Sequence, residues 1–82
     1  MKLYSSYPSI DLHGMDRVYA VFKVDEFIKD NSKLRNKRLI IIHGIGTGIL
    51  KNAVHSYLRR SKLVKEYKLD NFNSGQTIVE LK

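Results

Sequence analysis

The chain has no cysteine, no tryptophan, a single proline, and only 8 acidic residues against 15 Lys and Arg. Without cysteine there is neither a disulfide nor a thiolate metal site, so the fold must rest on its apolar core, which suits a reducing compartment. The longest aliphatic run, residues 39–42, is far short of the roughly 20 residues that cross a bilayer. Met1-Lys2-Leu3-Tyr4 lacks the apolar stretch of a secretory signal. The chain is therefore expected in the cytoplasm, with no membrane partner. Its 82 residues allow one domain and no second core.

The shortage of acids is local. Between residues 33 and 68 there are ten Lys or Arg and one acid, Glu66, whereas the first 32 residues are nearly balanced. Such asymmetry suggests a basic face and a polyanionic partner. A solvated cationic surface is the plainer alternative.

Residues 1–8 read as an irregular arm closed by Pro8, and residues 9–82 as the domain. Residues 9–12 form a short strand. Asp16 can cap a helix running to the neighbourhood of Asn31, with Ala20, Val21, Val24, Phe27 and Ile28 facing a sheet and Val18 and Phe22 widening that stripe. Residues 37–42 form a buried strand. A second helix spans 49–60, with Leu50, Ala53, Val54, Tyr57 and Leu58 inward and Lys51, His55 and Arg59 outward. Residues 64–69 read as a strand, followed by a loop with Asn71, Asn73, Ser74 and Gly75. Residues 77–81 form a last strand antiparallel to its predecessor. The expected fold is an α+β two-layer sandwich, β-α-β-α-β-β, with a four-stranded mixed sheet, both helices on one face and right-handed crossovers.

Two strand ends carry the chemistry. Ile10-Asp11-Leu12-His13-Gly14-Met15 is echoed by Ile40-Ile41-Ile42-His43-Gly44-Ile45. If the two strands are parallel neighbours, Asp11, His13 and His43 arrive together at the carboxyl edge of the sheet, where open sheets bind ligands. Asp11 and His13, at i and i+2, project to one side. An acid beside a histidine orients it and raises its pKa, which suits general acid–base work. The alternative is that Asp11 caps the turn and His13 satisfies a backbone carbonyl. Two ligands without a third make a poor metal site, so dependence on a divalent ion such as Mg or Mn stays open.

His43-Gly44-Ile45-Gly46-Thr47-Gly48 joins a strand to a helix. Glycines at alternate positions let N–H groups approach an anion at a helix N-terminus, and Lys51 adds a full charge. Gly44, Gly46, Thr47, Gly48 and Lys51 would cradle one phosphate, with His55, Arg59, Arg60 and Lys62 extending the basic surface. Tight-turn geometry also explains such glycines. The spacing matches neither a Walker loop nor a dinucleotide fingerprint. His55 is expected as a surface contact. Tyr4, Tyr7, Tyr19 and Tyr67 offer either base stacking or packing.

Three ordered blocks, 10–15, 42–50 and 75–81 (Gly-Gln-Thr-Ile-Val-Glu-Leu), resemble the Smr (small MutS-related) domain. That domain occurs alone in small bacterial proteins and at the C-terminus of a bacterial MutS paralogue. The resemblance runs from residue 9 to the end. It implies a fold similar to the C-terminal domain of translation initiation factor three, DNA or RNA binding, and nicking or endonuclease activity in several relatives. Asp11 and His13 match the family's Asp-x-His motif, and His43, Gly44, Gly46 and Gly48 its His-Gly-x-Gly-x-Gly loop. Ile45 stands where many relatives carry Lys, Tyr19 where an acid is common, and the last loop has one glycine where relatives often have three or more.

The leading expectation is a nucleic-acid-binding domain with endonuclease activity: the glycine loop and Lys51 hold the scissile phosphate, and Asp11, His13 and His43 move protons. A non-catalytic module for structured RNA, a ribosome or branched DNA is the second reading, and a small phospho-metabolite site the third.

Overall fold

The computed structural model describes residues 7–82. Most of the expected arm, with Tyr4, lies outside the described residues. From Ser9 onward the order is β1 (Ser9–Asp11), α1 (Arg17–Lys33), β2 (Arg38–Ile42), α2 (Ile49–Arg60), β3 (Val64–Asp70) and β4 (Asn73–Leu81). The sheet order is β1-β2-β4-β3. β1 runs parallel to β2, and β4 is antiparallel to both of its neighbours. The expected mixed α+β architecture is what the chain adopts.

Alternation along the strands decides where the helices sit. Leu39 pairs with Val79 and Ile41 with Thr77, so these four side chains share one face. Leu39, Ile41, Val79 and Leu81 join Ala20, Val24 and Ile28 of α1 and Val54 and Leu58 of α2 in a single buried cluster. Both helices therefore cover that face, and they also touch each other. The opposite face carries Arg38, Ile78, Glu66, Lys68 and Glu80 along a shallow, charged depression.

Three local expectations change. Val18 and Phe22 are 72% and 55% exposed and do not widen the buried stripe of α1. They lie too far around the helix from Ala20 and Val24, and the core is filled without them. Asn31 does not end α1. Its side chain donates to the Phe27 carbonyl at 2.9 Å and accepts from Asn36 Nδ2 at 2.8 Å, so it is a satisfied buried polar residue inside the last turns. The third change is at β4, which starts at Asn73, four residues earlier than read from the sequence. Asp70 Oδ1 accepts from the Phe72 amide and Asn73 Oδ1 from the Gly75 amide, both at 2.9 Å. These bonds tighten the connection to Asn71 and Phe72 alone, and ladder pairing resumes at once.

The helix stops where Arg35 takes a left-handed conformation, φ 64°, with its amide bonded to the Ser32 carbonyl. Glycine is the usual residue there. Arg35→Gly is expected to raise unfolding free energy by about 0.5–1 kcal/mol, the relief of left-handed strain less the added chain entropy. A urea melt whose midpoint does not rise would show that the Arg35 side chain itself contributes.

Candidate nucleic-acid interface and catalytic edge

Pairing of β1 with β2 sets Asp11 opposite Ile42, and the chain immediately beyond both strands turns with glycine. Gly14 has φ 81° and Gly44 φ 82°, a region that costs an L side chain about 1–2 kcal/mol. The two turns touch: a Cβ placed on Gly44 would lie 3.3 Å from His13 Cβ. The third block joins them because β4 lies beside β2. The Gly75 carbonyl accepts from both the His43 amide (3.0 Å) and the Gly44 amide (2.9 Å). Three segments distant in sequence thus meet at Gly44.

Asp11 and His13 form a surface pair. Asp11 Oδ1 accepts from His13 Nδ1 at 2.7 Å and from the His13 amide at 3.1 Å. The hydrogen bond to His13 holds the Asp11 carboxyl below the usual carboxylate range, and the same bond raises the His13 imidazole above its ordinary 6.5. The His13 side chain is 72% exposed. With Nδ1 committed to the carboxylate, Nε2 is the ring atom free to exchange protons.

Beyond Gly44 the chain makes a nest. Gly44, Gly46 and Gly48 all have positive φ, at 82°, 31° and 86°. Left-handed residues at alternate positions turn successive N–H groups toward one side, a geometry that receives anions. Among the described residues, no backbone N–H from 45 to 48 donates a hydrogen bond. Gly48, the residue preceding α2, gives no side-chain cap. The loop, His13, Gly14, Met15 and Lys51 border one open cleft of about 470 Å³.

His43 departs from its expected role at a solvent-facing edge. It is 3% exposed, with Nδ1 2.9 Å from the Gly44 carbonyl and Nε2 2.9 Å from Thr77 Oγ1. Both ring nitrogens are engaged within the domain, and His43 also borders the cleft from below. His55 departs too. It is no free surface contact: its Nε2 lies 2.6 Å from the same Thr77 hydroxyl, and its ring meets Tyr67 edge-on with centroids 5.0 Å apart. One residue on a helix is a turn of about 100°, which sets His55 beside the Val54 stripe, on the flank toward β3. Arg59, Arg60 and Lys62 are exposed but border no part of the cleft. Arg60 lines a separate groove with Arg17, Val18 and Val21, nine residues and about 13 Å along the axis from Lys51.

Sequence reasoning missed Thr77, which is fully buried in β4. A polar residue at an inward position between Gly75 and Val79 was the available signal, since buried polar groups require partners. Among the described residues, no group of three His, Asp or Glu side chains converges as a metal site would need, and no helix is long and apolar enough to cross a membrane.

His55 gives the domain an acid sensitivity. Burial lowers its pKa from 6.5, and repulsion from His43 when that ring is protonated, and from Lys51 and Arg59, adds to the effect. A base with a depressed folded-state pKa destabilises the fold as pH falls below the unfolded value of 6.5 toward the lowered one. The raised pKa of His13 acts in the opposite sense, but that pair is water-exposed and contributes little. The melting temperature is expected to drop between pH 7.5 and 5.5, and His55→Gln to flatten that drop. An unchanged slope in the variant would assign the acid sensitivity elsewhere.

Comparison with known proteins agrees with this fold. A family model described as Smr domain matches residues 10–82. Endonuclease MutS2 of Clostridium acetobutylicum is 39% identical over 85 aligned residues, covering 100% of this chain and 11% of that protein. Endonuclease MutS2 of Caldanaerobacter subterraneus is 39% identical, covering 90% of this chain and 10% of that protein. The chain thus spans about a tenth of the length of these relatives. The crystal structure of the Smr domain of Thermus thermophilus MutS2 superposes with a TM-score of 0.88 at 31% identity, covering 92% of this chain and 98% of that one. YdaL of Escherichia coli, a stand-alone small MutS-related protein, gives 0.79 at 26% identity, covering 94% and 68%. The match begins one residue before Asp11 and runs to the last residue, taking in all three segments that meet at Gly44, and so this chain belongs to the Smr domain family.

Proposed function

We propose that the domain binds nucleic acid through the 44–48 nest and cleaves a phosphodiester there, with His13 as general base. The observation that carries this reading is the run of unpaired N–H groups at residues 45–48 in one cleft with Lys51 and His13. Residues 45–47 are exposed and Gly48 half-exposed, so these donors are open to a ligand, and one phosphate oxygen could accept from several at once. The net charge of +7 and the endonuclease named in the MutS2 relatives favour a polyanionic chain over a small phospho-metabolite. So does the open form of the cleft, which lets a strand enter and leave.

In the proposed reaction the nest, the α2 N-terminus and Lys51 hold the scissile phosphate and stabilise the charge that develops on its oxygens. Asp11 keeps the proton on His13 Nδ1, leaving Nε2 to take one from the attacking water or, in RNA, a ribose 2′-hydroxyl. The new P–O bond forms as the opposite one breaks. The departing oxygen takes its proton from solvent at the cleft mouth. His43 supports the loop and transfers no proton.

Incubation with labelled single-stranded RNA, duplex DNA and supercoiled plasmid, each with EDTA, magnesium or manganese, tests the reaction directly. Cleavage of at least one substrate is expected. Absence of cleavage with retained binding would favour the second reading, a docking module for structured RNA, a ribosome or branched DNA. The nucleic-acid reading has its own test. Log affinity is expected to fall linearly with log salt, and Lys51→Gln to reduce the slope by about 1 through loss of one phosphate contact. A flat salt dependence would contradict both nucleic-acid readings.

A further inference from the structure

The interior next to the nest contains a polar chain of four groups: the Gly44 carbonyl, His43, the Thr77 hydroxyl and His55. Its contacts measure 2.9, 2.9 and 2.6 Å in that order. The direction of every hydrogen bond follows from one end. A carbonyl oxygen only accepts, so His43 Nδ1 must carry a proton. A neutral His43 ring then has a bare Nε2, and the Thr77 hydroxyl must donate to it. That hydroxyl has one proton and has spent it, so it accepts from His55, whose Nε2 must be protonated. Each group has its partner, and among the described residues no buried side-chain polar atom is left without one.

The carbonyl end reaches the surface through a single peptide unit. The chain contains no cis peptide among its described residues, and in a trans peptide C=O and N–H point in opposite directions. With the Gly44 carbonyl turned in toward His43, the Ile45 N–H of the same unit is turned out. Ile45 is 70% exposed, and its N–H is the first of the four unpaired donors. At its other end Gly44 is held by its own amide, bonded to the Gly75 carbonyl at 2.9 Å.

We infer that Thr77 and His55 are positioning residues: together they hold His43 in the Nδ1-protonated tautomer, which turns the Gly44–Ile45 peptide so that the Ile45 N–H faces an incoming phosphate. The inference rests on the reading of the 44–48 loop as a phosphate cradle, but its chemical content does not require nucleic acid. If Thr77 cannot donate, His43 Nε2 becomes a buried acceptor without a partner. In place, the ring cannot recover by moving its proton to Nε2, because valine offers no acceptor and a bare Nδ1 would face the Gly44 carbonyl; it gains only by turning toward water, where the fixed tautomer is lost. The peptide is released to turn over and withdraw the Ile45 donor.

Long-range proton–nitrogen spectra of the uniformly ¹⁵N-labelled full chain, without ligand, report ring tautomers directly. In the wild type, His43 is expected to show a protonated Nδ1 and a bare Nε2, and His55 the reverse. Thr77→Val keeps the side-chain shape and removes the donor. It is expected to shift His43 out of that tautomer and to move the Ile45 amide resonance. Affinity for a short single-stranded RNA should fall about tenfold or more, as for one lost hydrogen bond to a charged group. Thr77→Ser should restore all three readouts, which a merely structural packing role would not predict. His43 found protonated at Nε2 in the wild type, or an unchanged tautomer in Thr77→Val, would overturn the inference. The wild-type spectrum decides this even if the valine variant does not fold. The assigned tautomers, lost on Thr77→Val, in a protein that binds no RNA or DNA would support the relay and overturn the cradle instead.

Discussion

Replacing His13 by Ala is expected to lower cleavage by about 10²–10⁴-fold, the usual contribution of a general base, while leaving nucleic-acid affinity within about twofold because a water-exposed charge contributes little to binding. The separation of the two effects follows from the site. His13 sits at the rim with its side chain 72% exposed and, among the described residues, its ring bonds only Asp11, whereas the donors that would hold phosphate are backbone groups of residues 45–48. Asp11→Asn probes the same unit from the other side. An amide in place of the carboxylate cannot stabilise the imidazolium and can present its NH₂ to Nδ1, favouring the wrong tautomer. The rate should therefore fall and its rise with pH should move to lower pH, since the raised pKa of His13 comes first from the hydrogen bond to Asp11. Plasmid nicking followed across pH 5.5–9, beside a binding titration, measures both. Nicking at the wild-type rate by His13→Ala would remove His13 from the mechanism.

Gly44→Ala is the second large effect, and it should weaken binding and cleavage together. Two costs coincide there. At φ 82° an alanine pays about 1–2 kcal/mol in backbone strain, and its Cβ would press on His13 Cβ at 3.3 Å. Gly46→Ala separates these costs. Its φ of 31° is also unfavourable, but nothing lies within 4 Å of the added carbon. The expected order is a loss of affinity of more than about tenfold for Gly44→Ala, corresponding to the strain cost, and a smaller loss for Gly46→Ala. Thermal melts should show both variants folded and Gly44→Ala the less stable. Equal affinities for the two alanine variants and the wild type would mean that the loop's backbone geometry does not serve binding.

Much of this was legible in the sequence, and the failures share a cause. The apolar stripes at Ala20, Val24 and Ile28 and at Val54 and Leu58 placed the helices because their period is local and strong. The juxtaposition of Asp11 and His13 with the Gly44 loop followed from assuming β1 and β2 parallel, a pairing that the topology provides. What sequence could not convey was depth. His13 and His43 occupy equivalent places in two similar motifs, yet one is exposed and the other 3% accessible. The difference arises because β4 covers β2 on its far side, while β1 is an edge strand. The same strand brings Thr77 to His43, a contact between residues 34 apart. No periodicity announces it. His55 was misplaced for a related reason: its position on the helix wheel borders the core, and only β3, with Tyr67, makes that border an interior. Asn31 and the start of β4 went astray where side-chain hydrogen bonds overrode ordinary loop-forming tendencies.

Amide chemical shifts of the ¹⁵N-labelled chain, titrated in parallel with short single-stranded RNA and duplex DNA, test most directly whether the nest is the phosphate site. The largest changes are expected at Ile45, Gly46, Thr47, Gly48 and Lys51, with the His13 side chain following. Changes centred on the helix-free sheet face at Arg38 and Lys68 with the nest unmoved, or no changes with either nucleic acid, would contradict it.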